Sequence, residues 1–157
     1  MEDVLEYIII ITAEGKRLCL GRKDVHFYYR RTDIPADAVI VEAGFRLQPV
    51  LASEIRLKIQ EIMRYRSQTQ PVGIRSLGCV FKNPLEGDRS SGALIEQAGL
   101  KGLARGGVRV SPVHANFFEV QEGALFDDFY QLYSIVKKIV KDKFDIELEP
   151  EIQIWKD

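Results

Sequence analysis

Residues 5–12 form an apolar run rich in β-branched side chains, Glu14-Gly15-Lys16 supplies a turn, and residues 17–20 return. That order predicts a hairpin over 5–20. Residues 38–47 predict a further strand, closed by Pro49. The apolar period then lengthens. Ile55, Ile59, Ile62 and Met63 recur at helical spacing and Ser53 stands where an N-cap would, so residues 53–66 are expected to form an amphipathic helix. Gln70-Pro71 breaks it, and a domain boundary is placed there, dividing the chain into 1–70 and 71–157.

Past the boundary the elements shorten. A strand is expected around Cys79, with Gly78 allowing close backbone approach to a ligand and Pro84 ending any strand through Val80 and Phe81. A polar loop over 85–92 leads to a short helix stopped at Gly99, a natural left-handed cap. Residues 108–110 and 116–120 read as short strands. Phe129, Leu132, Tyr133, Val136, Ile139 and Val140 mark the longest helix. Asp127 and Asp128 lie near its start and Lys137, Lys138, Lys141 and Lys143 near its end, which suits the helix dipole at both. In the tail, Ile146, Leu148, Pro150, Ile152 and Ile154 alternate with Glu147, Glu149, Glu151 and Gln153, the period of a strand, and Pro150 confines it to an edge or a bulge. Strands, a helix and then a mixed unit predict α+β layers rather than a doubly wound parallel sheet.

Composition narrows the class. A chain of 157 residues with 46% hydrophobic and 29% charged residues is an ordinary globular protein of one or two small domains. A formal net charge of −1 gives no general attraction to nucleic acid or to acidic membranes. Cys19 and Cys79 stand far apart, outside any metal-ligand spacing. The N-terminus lacks the basic, apolar and small-residue order of a secretory leader, and the run of isoleucines from Ile8 is too short to span a bilayer. The expectation is a cytoplasmic protein with reduced thiols, no metal, no nucleic acid and no membrane partner.

The stretch Ser76-Leu77-Gly78-Cys79-Val80-Phe81-Lys82-Asn83-Pro84 puts a potential proton donor, a cation and an amide within five positions. By itself it is equally an ordinary strand-to-loop junction, since a Cys flanked by Val and Phe is commonly core. Further blocks follow in order: Leu94-Ile95-Glu96-Gln97-Ala98-Gly99-Leu100-Lys101-Gly102, then Val110-Ser111-Pro112-Val113-His114-Ala115-Asn116-Phe117, then Leu148-Glu149-Pro150-Glu151-Ile152. Upstream stand Phe27-Tyr28-Tyr29-Arg30-Arg31-Thr32 and Arg66-Ser67-Gln68-Thr69-Gln70-Pro71.

In that order these blocks resemble the C-terminal half of the UDP-N-acetylenolpyruvoylglucosamine reductase (MurB) family. The resemblance implies that 1–70 corresponds to part of the second FAD-binding subdomain and 71–157 to the substrate-binding domain, with a returning last strand. It implies reduction of the enolpyruvyl group of UDP-N-acetylglucosamine enolpyruvate by NADPH through FAD, with hydride from the flavin and a proton from the opposite face. By the resemblance, Cys79 occupies the proton-donor position, where the family most often has serine. A thiol is the better acid of the two, though a thiolate could not donate. Glu151 matches the glutamate that polarises the substrate carboxylate, and Arg30, with Tyr29 beside it, the arginine that grips that carboxylate. Asn83, Lys101 and His114 match positions at or near the UDP moiety, Lys101 as a point charge for the diphosphate.

Each role has a plainer counterpart. Glu151 can be a solvent-facing carboxylate, Arg30 part of a basic run with Arg31, Tyr29 a packing residue, and His114 a neutral hydrogen-bonding group. The glycines at 99, 102, 106 and 107 match no nucleotide-loop fingerprint. Two departures stand out: Thr69 occupies a position where the family often has lysine, and no flavin-cradling Gly-rich segment appears. The family's first half, which carries most of the flavin site, is expected to be absent, so the chain alone is expected to hold no FAD or NADPH and to be inactive unless a separate FAD-binding domain joins it. Self-association is the other expected partnership. A split enzyme, a free-standing UDP-sugar-binding or regulatory module, and a degenerate remnant all remain open at this point.

Overall fold

The computed structural model describes residues 2–85 and 88–155. The chain divides into two compact units, Met1–Ile55 and Arg56–Asp157.

In the first unit, β1 (Leu5–Ile11) and β2 (Arg17–Gly21) form the expected hairpin, with Ile8 opposite Leu20 and Ile10 opposite Leu18. β5 (Val39–Phe45) pairs antiparallel on the other side of β1, so the sheet order is β2-β1-β5. The central strand is the apolar one, as burial from both neighbours requires. Leu5, Ile8, Ile10 and Val25 form its core, with Leu20, Phe27, Ile34 and Ala38 packed against them. A second hairpin, β3 (Phe27–Tyr28) with β4 (Arg31–Thr32), was not anticipated, because two-residue strands leave no periodicity to read.

α1 (Ala52–Thr69) replaces the helix expected over 53–66. It starts one residue earlier, so Ser53 lies inside the first turn and is not its N-cap. The helix ends at the Gln70-Pro71 break, as expected. It buries no residue: Ile55, Ile59, Ile62 and Met63, the apolar stripe, are all about half exposed.

The second unit is built on an antiparallel sheet, β6 (Ser76–Cys79), β9 (Phe117–Val120), β8 (Val108–Val110) and β7 (Ala104–Arg105), in that spatial order. β7 is a further two-residue strand that the sequence did not announce. α2 (Ser91–Gln97) carries a side-chain N-cap, Ser90 Oγ accepting from Ala93 N–H at 3.2 Å, and Gly99 follows it with φ +78° as the predicted left-handed stop. α3 (Phe126–Phe144) buries Phe129, Leu132, Tyr133, Val136 and Val140, the stripe read from the sequence, against Val80, Phe81, Leu94, Ile95, Val110 and Phe118. Asp128 accepts from the Leu125 and Gly107 amides at 3.0 Å each, and these bonds hold its carboxyl below the usual range.

The tail corrects one expectation. Its alternation is real, with Leu148 buried and Ile146, Pro150, Ile152 and Ile154 half-buried between the exposed Glu147, Glu149 and Gln153. Yet it makes a single β-bridge, Phe81 with Pro150, rather than a strand. Proline has no N–H to donate, so the ladder stops at the two flanking bonds. Within the loop over 85–92, Glu86 and Gly87 lie outside the described residues. Among the described residues no helix is long and apolar enough to cross a membrane.

Candidate functional site

The chemistry expected from the sequence depends on β6 and on what lies along it. Its last residue, Cys79, is half-buried and sits opposite Phe117, while Ser76 sits opposite Glu119. The span from Ser76 to Cys79 is one residue longer than the matching span on β9. Gly78 absorbs the extra residue in a left-handed conformation, φ +71°, which a side chain would disfavour. Val110 and Phe118, opposite each other, and Val108 and Val120 face α3. Alternation then places Arg109, Phe117, Glu119 and Cys79 on the other side of the sheet.

Beyond Cys79 the backbone is gripped from both sides. Val80 N–H donates to the Asn116 carbonyl at 2.9 Å. The Asn116 side chain closes on the next peptide: Oδ1 accepts from Phe81 N–H at 3.0 Å and Nδ2 donates to Phe81 O at 2.8 Å. Along the opposite edge, Glu151 N–H donates to Val80 O at 2.8 Å and Lys82 N–H donates to Glu149 O at 2.9 Å. The tail thereby delivers half-buried Glu151 to the residue next to Cys79, which separates it from the exposed Glu147 and Glu149. Buried Ser91 donates its hydroxyl to Lys82 O, and its N–H donates to Asn83 Oδ1 at 3.1 Å, tying Asn83 to the start of α2.

His114 lies in the loop before β9. Its Nδ1 accepts from Asn116 N–H at 3.2 Å, so the neutral ring carries its proton on Nε2. The ring stands edge-on to Phe117 at 4.8 Å, and a Cβ at Gly92 would lie 3.1 Å from its Cε1, so α2 meets the imidazole at a residue without a side chain. Burial pushes the His114 pKa below the usual imidazole value; a backbone hydrogen bond opposes this, the Lys101 charge adds to it, and the Glu96 charge opposes it. Lys101, in the turn after α2, pairs with Glu96 at 2.6 Å and keeps a partly exposed ammonium.

Cys79, Asn83, Lys101, His114 and Glu151 therefore all belong to the second unit, around β6, the entry to β9 and α2. Tyr29 and Arg30 belong to the first, as the two residues between β3 and β4. Arg30 adopts φ +60°, rare for a residue with a side chain, and its guanidinium carbon lies 5.9 Å from the Tyr29 ring centroid. Thr69 closes α1 with its hydroxyl donating to Tyr65 O at 2.9 Å.

Sequence reasoning passed over Asn116, Ser91 and Ser111, which position the others. Asn116 is 3% exposed and Ser91 and Ser111 are fully buried; Ser111 Oγ accepts from the Val113 and His114 amides at 3.2 and 3.4 Å. The signal available was a polar residue inside an otherwise apolar block. An apolar cleft of about 540 Å³ runs along the α3 side, lined by Leu77, Phe126, Phe129, Ile152 and Trp155 among others, and includes none of the candidate site residues. Among the described residues no cluster of His, Cys, Asp or Glu could hold a metal ion.

The sequence profile described as "UDP-N-acetylenolpyruvoylglucosamine reductase, C-terminal domain" matches residues 70–155. A UDP-N-acetylenolpyruvoylglucosamine reductase of Desulfosudis oleivorans is 39% identical over 161 residues, covering 98% of this chain and 51% of that protein. One from Thermotoga sp. strain RQ2 is 35% identical, covering 98% of this chain and 52% of its own length. The crystal structure of UDP-N-acetylenolpyruvylglucosamine reductase from Thermus caldophilus superposes with a TM-score of 0.84 at 29% identity, over 99% of this chain and 54% of that one. The chain thus spans about half the length of the relatives it matches.

Proposed function

The chain belongs to the family of the UDP-N-acetylenolpyruvoylglucosamine reductase C-terminal domain, and from that premise we propose that it binds UDP-N-acetylglucosamine enolpyruvate and supplies the proton for its reduction to UDP-N-acetylmuramate, a step in peptidoglycan precursor synthesis. Residues 71–157 form the substrate-binding domain in this reading and 1–70 part of a FAD-binding subdomain, in a cytoplasmic setting. The observation that carries the proposal is the joint placement of Cys79 at the end of a bulged strand and Glu151 at the neighbouring residue of the adjoining tail.

Cys79 Sγ holds the proton destined for the substrate carbon. Glu151 and Arg30 address the carboxylate, where negative charge develops, and Tyr29 packs beside Arg30. Lys101 meets the diphosphate by exchanging its Glu96 partner for a stronger anion, with Asn83 and neutral His114 on the nucleotide side. The reducing chemistry is assigned to FAD and NADPH of the complete enzyme. Two tightly packed glycines serve the chain's own packing and not a dinucleotide: a Cβ at Gly44 would meet the Tyr7 ring and one at Gly107 would lie 2.7 Å from Ala124. Gly15, Gly73, Gly99, Gly102 and Gly123 are isolated left-handed turn residues.

The test is an NADPH-oxidation assay with the chain mixed with a separately expressed flavin domain of a relative. Oxidation dependent on both polypeptides and on the enolpyruvyl substrate is expected, with Cys79→Ala abolishing it. Binding of substrate with no turnover under any pairing would leave a UDP-sugar-binding module instead.

A further inference from the structure

Glu119 is a charged residue inside the apolar strand β9, 3% exposed, and its carboxylate is only half satisfied. Arg109, opposite it on β8, directs both of its contacts to a single oxygen: Nε to Oε2 at 2.7 Å and a terminal guanidinium nitrogen to the same Oε2 at 2.7 Å. Oε1 is buried and has no hydrogen-bond partner among the described residues. Folded proteins leave few buried polar atoms without a partner, so Glu119 calls for a reason beyond packing.

Its place on the sheet supplies a reason. Glu119 projects from the same side of the sheet as Cys79, and Cys79 pairs with Phe117, two residues along from Glu119. The bulge falls between the two pairs, so Glu119 faces Ser76 directly and Cys79 is the next residue of β6 on that side of the sheet. We propose that Glu119 is a positioning residue for proton donation: its buried negative charge disfavours the thiolate of Cys79 and so keeps the donor loaded. The argument rests on the reading of Cys79 as the proton donor. A serine in that position needs no such device, because an alcohol does not ionise near neutral pH, whereas a thiol among cations would. Within this unit, the charged or titratable groups on the elements around β6 include Arg109 on β8, Glu149 and Glu151 on the tail, Lys82 just beyond β6, and His114 against Phe117. Arg109 and Lys82 favour the thiolate, and Lys82 is itself paired with Glu149 at 3.5 Å.

The test reads the rate of Cys79 alkylation by iodoacetamide against pH, in a Cys19→Ser background that removes the exposed second thiol. Only the thiolate reacts. Glu119→Gln should move the profile to lower pH and raise the rate at pH 7 by roughly three- to tenfold, as loss of a nearby like charge does. Glu119→Leu, which also removes the unpaired oxygen, should shift it the same way and keeps the test alive if one variant fails to fold. Glu147→Gln, which removes an exposed carboxylate from the tail, should leave the profile in place. Unchanged or upward-shifted profiles in both Glu119 variants, or an equal shift in Glu147→Gln, would overturn the inference. The measurement needs neither substrate nor flavin, so it fails independently of the proposed binding and reduction.

Discussion

His114 shows how a single side chain couples the site to pH. It accepts the Asn116 amide through Nδ1 and is held below the usual imidazole pKa, chiefly by burial. The unfolded chain then binds more protons than the folded one as the pH drops below about 6.5. This contribution to stability is complete above the unfolded pKa and is lost as pH falls toward the folded one. Urea titrations at pH 7.5 and 5.5 should show a smaller loss of stability in His114→Gln than in the parent. Equal losses would mean that the imidazole is not held neutral. The histidine's plainer reading, as a neutral hydrogen-bonding group, was available from its isolation in the sequence. Its dependence on Asn116 and Gly92 was not, because those contacts are made by folding.

At the scale of elements, the Asn116 clamp on Phe81 joins β9's entry to the strand that carries Cys79. Asn116→Ala removes two buried hydrogen bonds and leaves a peptide N–H and C=O without partners, so a loss of roughly 2–5 kcal/mol in urea unfolding is expected. A loss under about 1 kcal/mol would show that water replaces the clamp. Elements with a full period were legible: the β1–β2 hairpin and the stripe of α3 match their expected residues closely. β3, β4 and β7, two residues each, carry no period at all. The tail shows the opposite failure, since its alternation was correct while Pro150 limited it to one bridge. In α1, periodicity identified an apolar face and could not say whether anything covers it; Ile55, Ile59, Ile62 and Met63 remain exposed.

For the whole molecule, the exposed apolar residues of the first unit set an expectation about association. Val39, Ile40 and Val41 are each more than half exposed on β5, which is an edge strand of its sheet among the described residues. Sedimentation of the purified chain should show a weight-average mass that rises with concentration, and Val41→Lys should reduce the rise. A monomer across the whole range would contradict this. The same preparations should lack a flavin absorbance band, since FAD is assigned to the complete enzyme. The central claim is that the substrate pocket of the family is retained, and calorimetric titration with UDP-N-acetylglucosamine enolpyruvate tests it most directly. The parent should bind; Lys101→Ala should weaken both UDP and the full ligand by roughly ten- to hundredfold, the effect of losing one charge-assisted hydrogen bond. Arg30→Ala should weaken only the carboxylate-bearing ligand, and Cys79→Ser should leave binding nearly unchanged. No binding by the parent at millimolar ligand, or an Arg30→Ala variant that loses UDP as much as the full ligand, would contradict the account.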